Sequence, residues 1–301
     1  MKTTLMAALL AAALLPGCTG PVAAETADRA EGLPYELKDT QVWTVPDPAT
    51  GRSYQLFVSL PASYAADPSR RYPVMYVADA DYGFPLIRSI SRRINLEGPA
   101  IEEFILIGLS YAKGENGMTS RRRDYTPTAN APASVPKDQV HGQAWAYQYY
   151  LKKSVLPFVD TRFRTDPARR IFMGHSYGAL LGTGILFSDP TLFHDYILGS
   201  PSLWYDDRYM LRMEEDYART HKDLPANIFM YVGAFEAVRP GDPRYNRKDD
   251  MVADMTAFET QLKSRHYPGL TIASRVLPEE NHLTVFPPGF TRALQQVLPV
   301  R

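Results

Sequence analysis

Ile171-Phe172-Met173-Gly174-His175-Ser176-Tyr177-Gly178 sets a serine between two glycines directly after an apolar run. A Gly-x-Ser-x-Gly stretch behind a buried strand is the pattern of a nucleophile elbow, in which the strand turns sharply into a helix and presents the serine hydroxyl at the end of a sheet. The glycines answer a steric demand, because a side chain at either position would crowd the turn against its neighbouring strand and helix. Three fixed residues in five recur by chance, so the surrounding chain must supply the context.

Outward from this stretch, short apolar runs alternate with longer amphipathic ones. Residues 41–45 and 54–60 are β-prone and flank Pro46-Asp47-Pro48-Ala49-Thr50-Gly51, a turn composition that predicts an antiparallel hairpin. Strands are expected at 72–77, 104–109, 171–173, 196–198, 228–232 and 271–276, and helices at 139–158, 178–187, 206–220, 248–265 and 289–297. A hairpin followed by βα alternation predicts an α/β fold: a mostly parallel sheet of about eight strands with helices on both faces. No repeat or low-complexity block divides it, so residues 37–301 are expected to form one domain.

Lys plus Arg equals Asp plus Glu at 33 each, which gives no support for a nucleic-acid partner. The first residues read as an export signal: Lys2, an apolar stretch over 5–15 too short to span a bilayer stably, then small residues. Leu15-Pro16-Gly17-Cys18 resembles a bacterial lipobox, although Pro16 departs from the usual small residue. Cys18 is the candidate lipidation site, with 1–17 as signal peptide and 18–36 as tether. A second cut could follow Val22-Ala23-Ala24. Either route predicts an exported protein of a bacterial envelope, periplasmic or lipid-anchored to a membrane. Cys18 is the only cysteine, so no internal disulfide can form.

Functional groups of an open α/β sheet gather at the carboxyl ends of its strands, and a hydrolytic triad of this type follows the order serine, acid, histidine. Of the six histidines, His282 alone follows the final expected strand and precedes the last helix, which makes it the candidate base. For the acid, Glu236 follows the strand at 228–232 by a short turn. Asp242, Asp249 and Asp250 are its rivals, the last two also being suited to a helix N-terminus. A serine hydroxyl is a weak nucleophile, so the imidazole must take its proton and the carboxylate must fix the imidazole tautomer. Charge on the substrate carbonyl oxygen needs prepared donors. The backbone N–H of Tyr177 is one candidate, and that of Asp81, in the loop after the strand at 72–77, is the other.

With these residues in hand, the chain resembles the putative-esterase family of α/β-hydrolases. Arg71-Tyr72-Pro73-Val74-Met75-Tyr76-Val77-Ala78-Asp79, Gly199-Ser200-Pro201-Ser202-Leu203-Trp204, Gly233–Glu236 and the His282 loop carry the likeness over about residues 40–298. Ile107-Gly108-Leu109-Ser110-Tyr111 followed by Arg121-Arg122-Arg123-Asp124-Tyr125-Thr126-Pro127 looks like the branch that opens siderophore trilactones of enterobactin or bacillibactin type. The resemblance implies the α/β-hydrolase fold, a serine carboxylesterase without metal or organic cofactor, and a small-molecule ester substrate, an anionic siderophore among them. Arg121, Arg122, Arg123, Tyr125 and Trp204 are then substrate-binding candidates, the arginines through planar charge-assisted contacts, with a solvated basic loop as the plain alternative. Ala80 stands where many relatives carry glycine, which bears on the second oxyanion donor. Other members act on acetylated or feruloylated sugars. Acyl transfer, or a non-catalytic envelope protein that binds a ligand through the 121–125 loop, are the competing functions.

Overall fold

A computed structural model describes residues 32–300; the expected signal peptide, Cys18 and residues 18–31 of the expected tether lie outside them. The strands are β1 (Thr40–Pro46), β2 (Ser53–Ser59), β3 (Tyr72–Val77), β4 (Ile105–Ala112), β5 (Thr165–His175), β6 (Asp195–Gly199), β7 (Ala226–Gly233) and β8 (Leu270–Leu277). They form a single sheet in the order β1-β2-β4-β3-β5-β6-β7-β8. β1 and β2 make the expected antiparallel hairpin, β2 runs antiparallel to β4, and the remaining pairs are parallel. The hairpin turn is held by Asp47, whose carboxylate accepts from Ala49 N–H and the Thr50 hydroxyl.

Eight helices complete the described fold: α1 (Ala80–Ile94), α2 (Gly117–Tyr125), α3 (Ala144–Tyr150), α4 (Leu156–Arg162), α5 (Tyr177–Ser188), α6 (Tyr205–Thr220), α7 (Met251–Ser264) and α8 (Phe286–Val297). Side chains alternate across a strand, so each central strand feeds two cores. In β3, Tyr72, Val74 and Tyr76 join the core beneath α3, α5, α6 and α7, while Met75 and Val77 join the core beneath α1 and α8. All six β3 residues are buried, which is why the strand reads as an unbroken apolar run. α5 is apolar all round and buries every residue from Tyr177 to Phe187, as a helix enclosed by other elements must.

Three helical assignments change. Residues 80–94 form α1, which is not among the expected helices, so Asp81 lies in the first turn of a helix and not in the loop after β3. Residues 139–143 do not extend the helix expected at 139–158, because their amides serve the end of α2 instead: Gly142 N–H donates to Thr126 Oγ1 and Gln143 N–H to Arg123 O. The rest of that stretch is α3 and α4 joined by a wide π-type turn over Leu151–Val155. Residues 121–125, expected as a basic loop, belong to α2. Its start is capped by Asn116, whose side chain accepts from Met118 N–H, and arginine is a good helix former.

The order β4-β3-β5 places the site. From β3 the chain passes through α1 to β4 on one side, then returns across β3 to β5 on the other. The direction of winding therefore reverses between β3 and β5, which opens a crevice at their carboxyl ends. The loop at 78–80 and the turn at 175–177 flank that crevice. Among the described residues, no helix is long and apolar enough to cross a membrane.

Candidate active site

Ser176 sits between β5 and α5 with φ 59° and ψ −120°, a backbone state that an L-residue adopts at a cost of about 1–3 kcal/mol. Packing around the turn enforces it. A Cβ on Gly174 would lie 2.3 Å from the Gly178 carbonyl, so the chain can double back this closely only with glycine there. Ser176 N–H donates to Gly199 O at 2.9 Å, and its own carbonyl accepts from Leu180 N–H as the first bond of α5. The hydroxyl thus stands at the crevice, 3.5 Å from Ser202 Oγ.

β7 ends at Gly233, and a single 3-10 turn, Ala234–Glu236, folds the Glu236 side chain back onto it. Glu236 is fully buried. Its Oε1 accepts from Gly233 N–H at 2.8 Å and from the Ser200 hydroxyl at 2.6 Å, and its Oε2 lies 2.6 Å from His282 Nδ1. A buried carboxylate is tolerable when its lone pairs are occupied in this way. Since Oε2 only accepts, Nδ1 carries the proton, and the outward Nε2 of His282 is left as a proton acceptor.

His282 reaches this carboxylate from the loop between β8 and α8. That loop approaches β7 closely: Phe235 N–H donates to Glu280 O at 2.9 Å, and a Cβ on Gly233 would fall 2.4 Å from the same oxygen. Gly233→Ala is therefore expected to push the loop outward and lower kcat by roughly 10²-fold, the scale of a 1 Å misplacement of a catalytic group. Steady-state kinetics beside a melting curve will check this, and an unchanged kcat in folded protein would contradict it.

The two oxyanion candidates are both first-turn amides. Tyr177 opens α5. In α1, Tyr82 and Gly83 donate to Asp79 O, so the N–H groups of Ala80 and Asp81 precede the helix's own bonding ladder. The left-handed residue of this loop is Asp79, with φ 54° and ψ 45°, whereas Ala80 is already helical. Alanine at position 80 therefore carries no conformational penalty. Asp79 is held by a two-pronged contact with Arg121, at 2.9 and 3.1 Å, and by the Tyr111 hydroxyl at 2.7 Å. Its N–H donates to Tyr125 Oη, and the Asp81 carboxylate accepts from Ser110 Oγ.

These contacts redirect the arginine cluster. Helical geometry turns successive side chains by about 100°, so three neighbours cannot face one ligand. Arg121 braces the Asp79 loop and lies over the Tyr177 ring. Arg122 reaches Gln139, and Arg123 is buried between Asp124 and Glu115. Tyr125 is buried beneath the loop. Of the five substrate-binding candidates, Trp204 is the one that lines the cleft holding Ser176 and His282, a hollow of about 410 Å³. Arg247 and Lys248, which no sequence motif marks, line it too. A larger hollow of about 730 Å³, between Leu60, Phe104 and α1, contains no histidine among its described lining.

The model of the family "Putative esterase" matches residues 48–282. The chain belongs to this esterase family. The esterase is 25% identical over 289 residues to the ferri-bacillibactin esterase BesA of Bacillus subtilis (strain 168), covering 91% of the chain and 96% of that relative. It is 28% identical over 199 residues to the siderophore triacetylfusarinine C esterase of Aspergillus fumigatus, covering 63% and 66%. Among solved structures, the BES protein from Bacillus cereus superposes with a TM-score of 0.74 at 22% identity over 90% of the esterase and all of that chain. An IroE-like serine hydrolase from Shewanella oneidensis gives 0.73 at 24%, covering 85% and 79%. The α/β-hydrolase fold is thus shared, and the chain is a hydrolase of esters.

Within the esterase, two of the three rival acids are occupied elsewhere, and the third, Asp249, lines the cleft while Glu236 is the carboxylate that meets His282 Nδ1. Asp242 lies in an exposed loop, and its bonds with Arg244 push its carboxyl down to about 2. Asp250 caps α7 by accepting from Ala253 N–H. Ser200 and Ser202, part of the Gly199–Trp204 stretch that carries the family likeness, contact Glu236 and Ser176 respectively.

Proposed function

We propose that the esterase opens the ester bonds of an anionic siderophore trilactone through an acyl-enzyme on Ser176. The convergence of Ser176 and His282 on one cleft, with His282 bonded to the buried Glu236, carries this reading. Ser176 Oγ attacks the ester carbonyl carbon while His282 Nε2 takes its proton, and the carbonyl oxygen becomes an oxyanion facing the Tyr177 and Asp81 amides. The C–O bond to the alcohol then breaks, and His282 returns the proton to the departing oxygen. Water repeats the sequence on the acyl group, releasing the acid and the free serine.

The siderophore reading draws on the substrates named for the two curated relatives and on the cleft itself. Trp204 offers an aromatic face for a catecholate ring, and Arg247 with Lys248 offers positive charge to a polyanionic ferric complex. A substrate panel of ferric and iron-free trilactones against acetyl, butyryl and feruloyl esters tests it. Trilactones should lead in kcat/KM by at least about tenfold, and the Arg247→Ala/Lys248→Ala variant should raise their KM about tenfold with kcat little changed, the mark of lost uniform binding. A panel led by feruloyl or acetyl esters would overturn the siderophore assignment and leave ester hydrolysis standing.

We also propose export, with residues 1–17 removed, Cys18 lipidated and 18–36 serving as a tether to an envelope membrane. The mass of the mature N-terminus in wild type and Cys18→Ser decides between this and cleavage after Ala24.

A further inference from the structure

His175, between Gly174 and the nucleophile, has no part in the hydrolytic steps above. It is buried at the end of β5, and its Nε2 lies 2.9 Å from the main-chain oxygen of His282. A carbonyl oxygen only accepts, so the His175 proton is on Nε2 and the bond is Nε2–H···O=C. The other ring nitrogen, Nδ1, is buried with no hydrogen-bond partner, as the lone-pair side of a neutral imidazole in an apolar wall would be. The ring packs against that of His282, centroids 4.7 Å apart, and edge-on against Phe286. Burial, and then the neighbouring His282, push the His175 pKa down to about 3, so the ring is neutral at physiological pH and adds no like charge beside the base.

We propose that His175 is a positioning residue for the general base: its Nε2–H holds the main chain of His282 while Glu236 holds the ring, fixing the imidazole at two points. The first hold comes from the nucleophile's own strand and the second from the turn after β7. Because His175 is bonded to Ser176 in sequence, the hold ties the base directly to the residue whose proton it receives. The inference rests on the proposed roles of Ser176, His282 and Glu236.

The test compares His175→Gln with His175→Met in the full chain, with Ser176→Ala as control. Glutamine carries an N–H near the place of the imidazole Nε2; methionine fills similar space and donates nothing. His175→Met should lower kcat about 10- to 100-fold with KM within about twofold, the signature of a displaced catalytic group, and His175→Gln should recover most of that loss. Should the methionine variant fail to fold, His175→Asn, whose N–H falls at the Nδ1 position, replaces it and is expected to be similarly impaired. Equal impairment of the glutamine variant and the methionine (or replacing asparagine) variant, wild-type kcat in the methionine or asparagine variant, or a loss confined to KM would overturn the proposal. Wild-type hydrolysis that vanishes in Ser176→Ala establishes the underlying site separately, so a negative result at His175 then counts against the clamp alone.

Discussion

Replacing Ser176 by alanine is expected to lower kcat for ester hydrolysis by about 10⁴-fold or more while the protein stays folded, the scale seen when a triad nucleophile is removed. The backbone at 176 is set by its surroundings and not by the hydroxyl. The Gly174–Gly178 approach, the Ser176 N–H bond to Gly199 and the first bond of α5 all persist with a methyl side chain. Among the described residues the only hydrogen bond of Ser176 Oγ is the long contact to Ser202, so the variant should melt near the wild-type temperature. What remains is a cleft with its candidate oxyanion amides and an imidazole that has no proton to take. A fluorophosphonate supplies an independent reading: intact mass should show one adduct on wild type and none on Ser176→Ala. Hydrolysis within tenfold of wild type, or labelling of the alanine variant, would remove Ser176 from the mechanism.

The parts of this site that were legible in the sequence are those that local rules determine. Gly174–Gly178 reads as an elbow because its backbone state tolerates few residue types, and His282 and Glu236 stand out as candidates because strand ends order functional groups along the chain. The alternation that located the strands follows from burial on both sheet faces, as in β3. What escaped were pairings across long separations. Arg121 reads as an exposed cation until Asp79, 42 residues earlier, is brought against it. His175 reads as the variable letter of a motif until the His282 carbonyl, 107 residues later, reaches its ring. The same holds at position 80, where the left-handed turn falls one residue earlier than the family pattern suggested, on Asp79. Arg247 and Lys248 carry no local pattern at all, and only the closure of the β7–α7 connection around Ser176 places them in the cleft.

Glu236→Gln should be nearly as damaging as loss of the nucleophile, with kcat down about 10³- to 10⁴-fold, and the reason lies in which atoms face the carboxylate. In the wild-type protein both oxygens accept: Oε1 from Gly233 N–H and Ser200 Oγ, Oε2 from His282 Nδ1. An amide has one oxygen and one NH2. With its NH2 toward Gly233, two donors would face each other in a fully buried site, an arrangement that costs about 1–3 kcal/mol. The Ser200 hydroxyl could rotate to accept, but the backbone N–H cannot. The amide oxygen therefore stays at Gly233 and the NH2 turns to His282, where it requires a bare Nδ1. The imidazole proton moves to Nε2, and Nε2 can no longer take the proton of Ser176. Shape and hydrogen-bond count are preserved, so stability should change little while the tautomer inverts. Nitrogen chemical shifts of His282 measure this directly: protonation at Nδ1 in wild type and at Nε2 in the variant. A variant that keeps wild-type kcat, or one that loses activity with the Nδ1–H tautomer intact, would show that the carboxylate does not act by setting the base's proton.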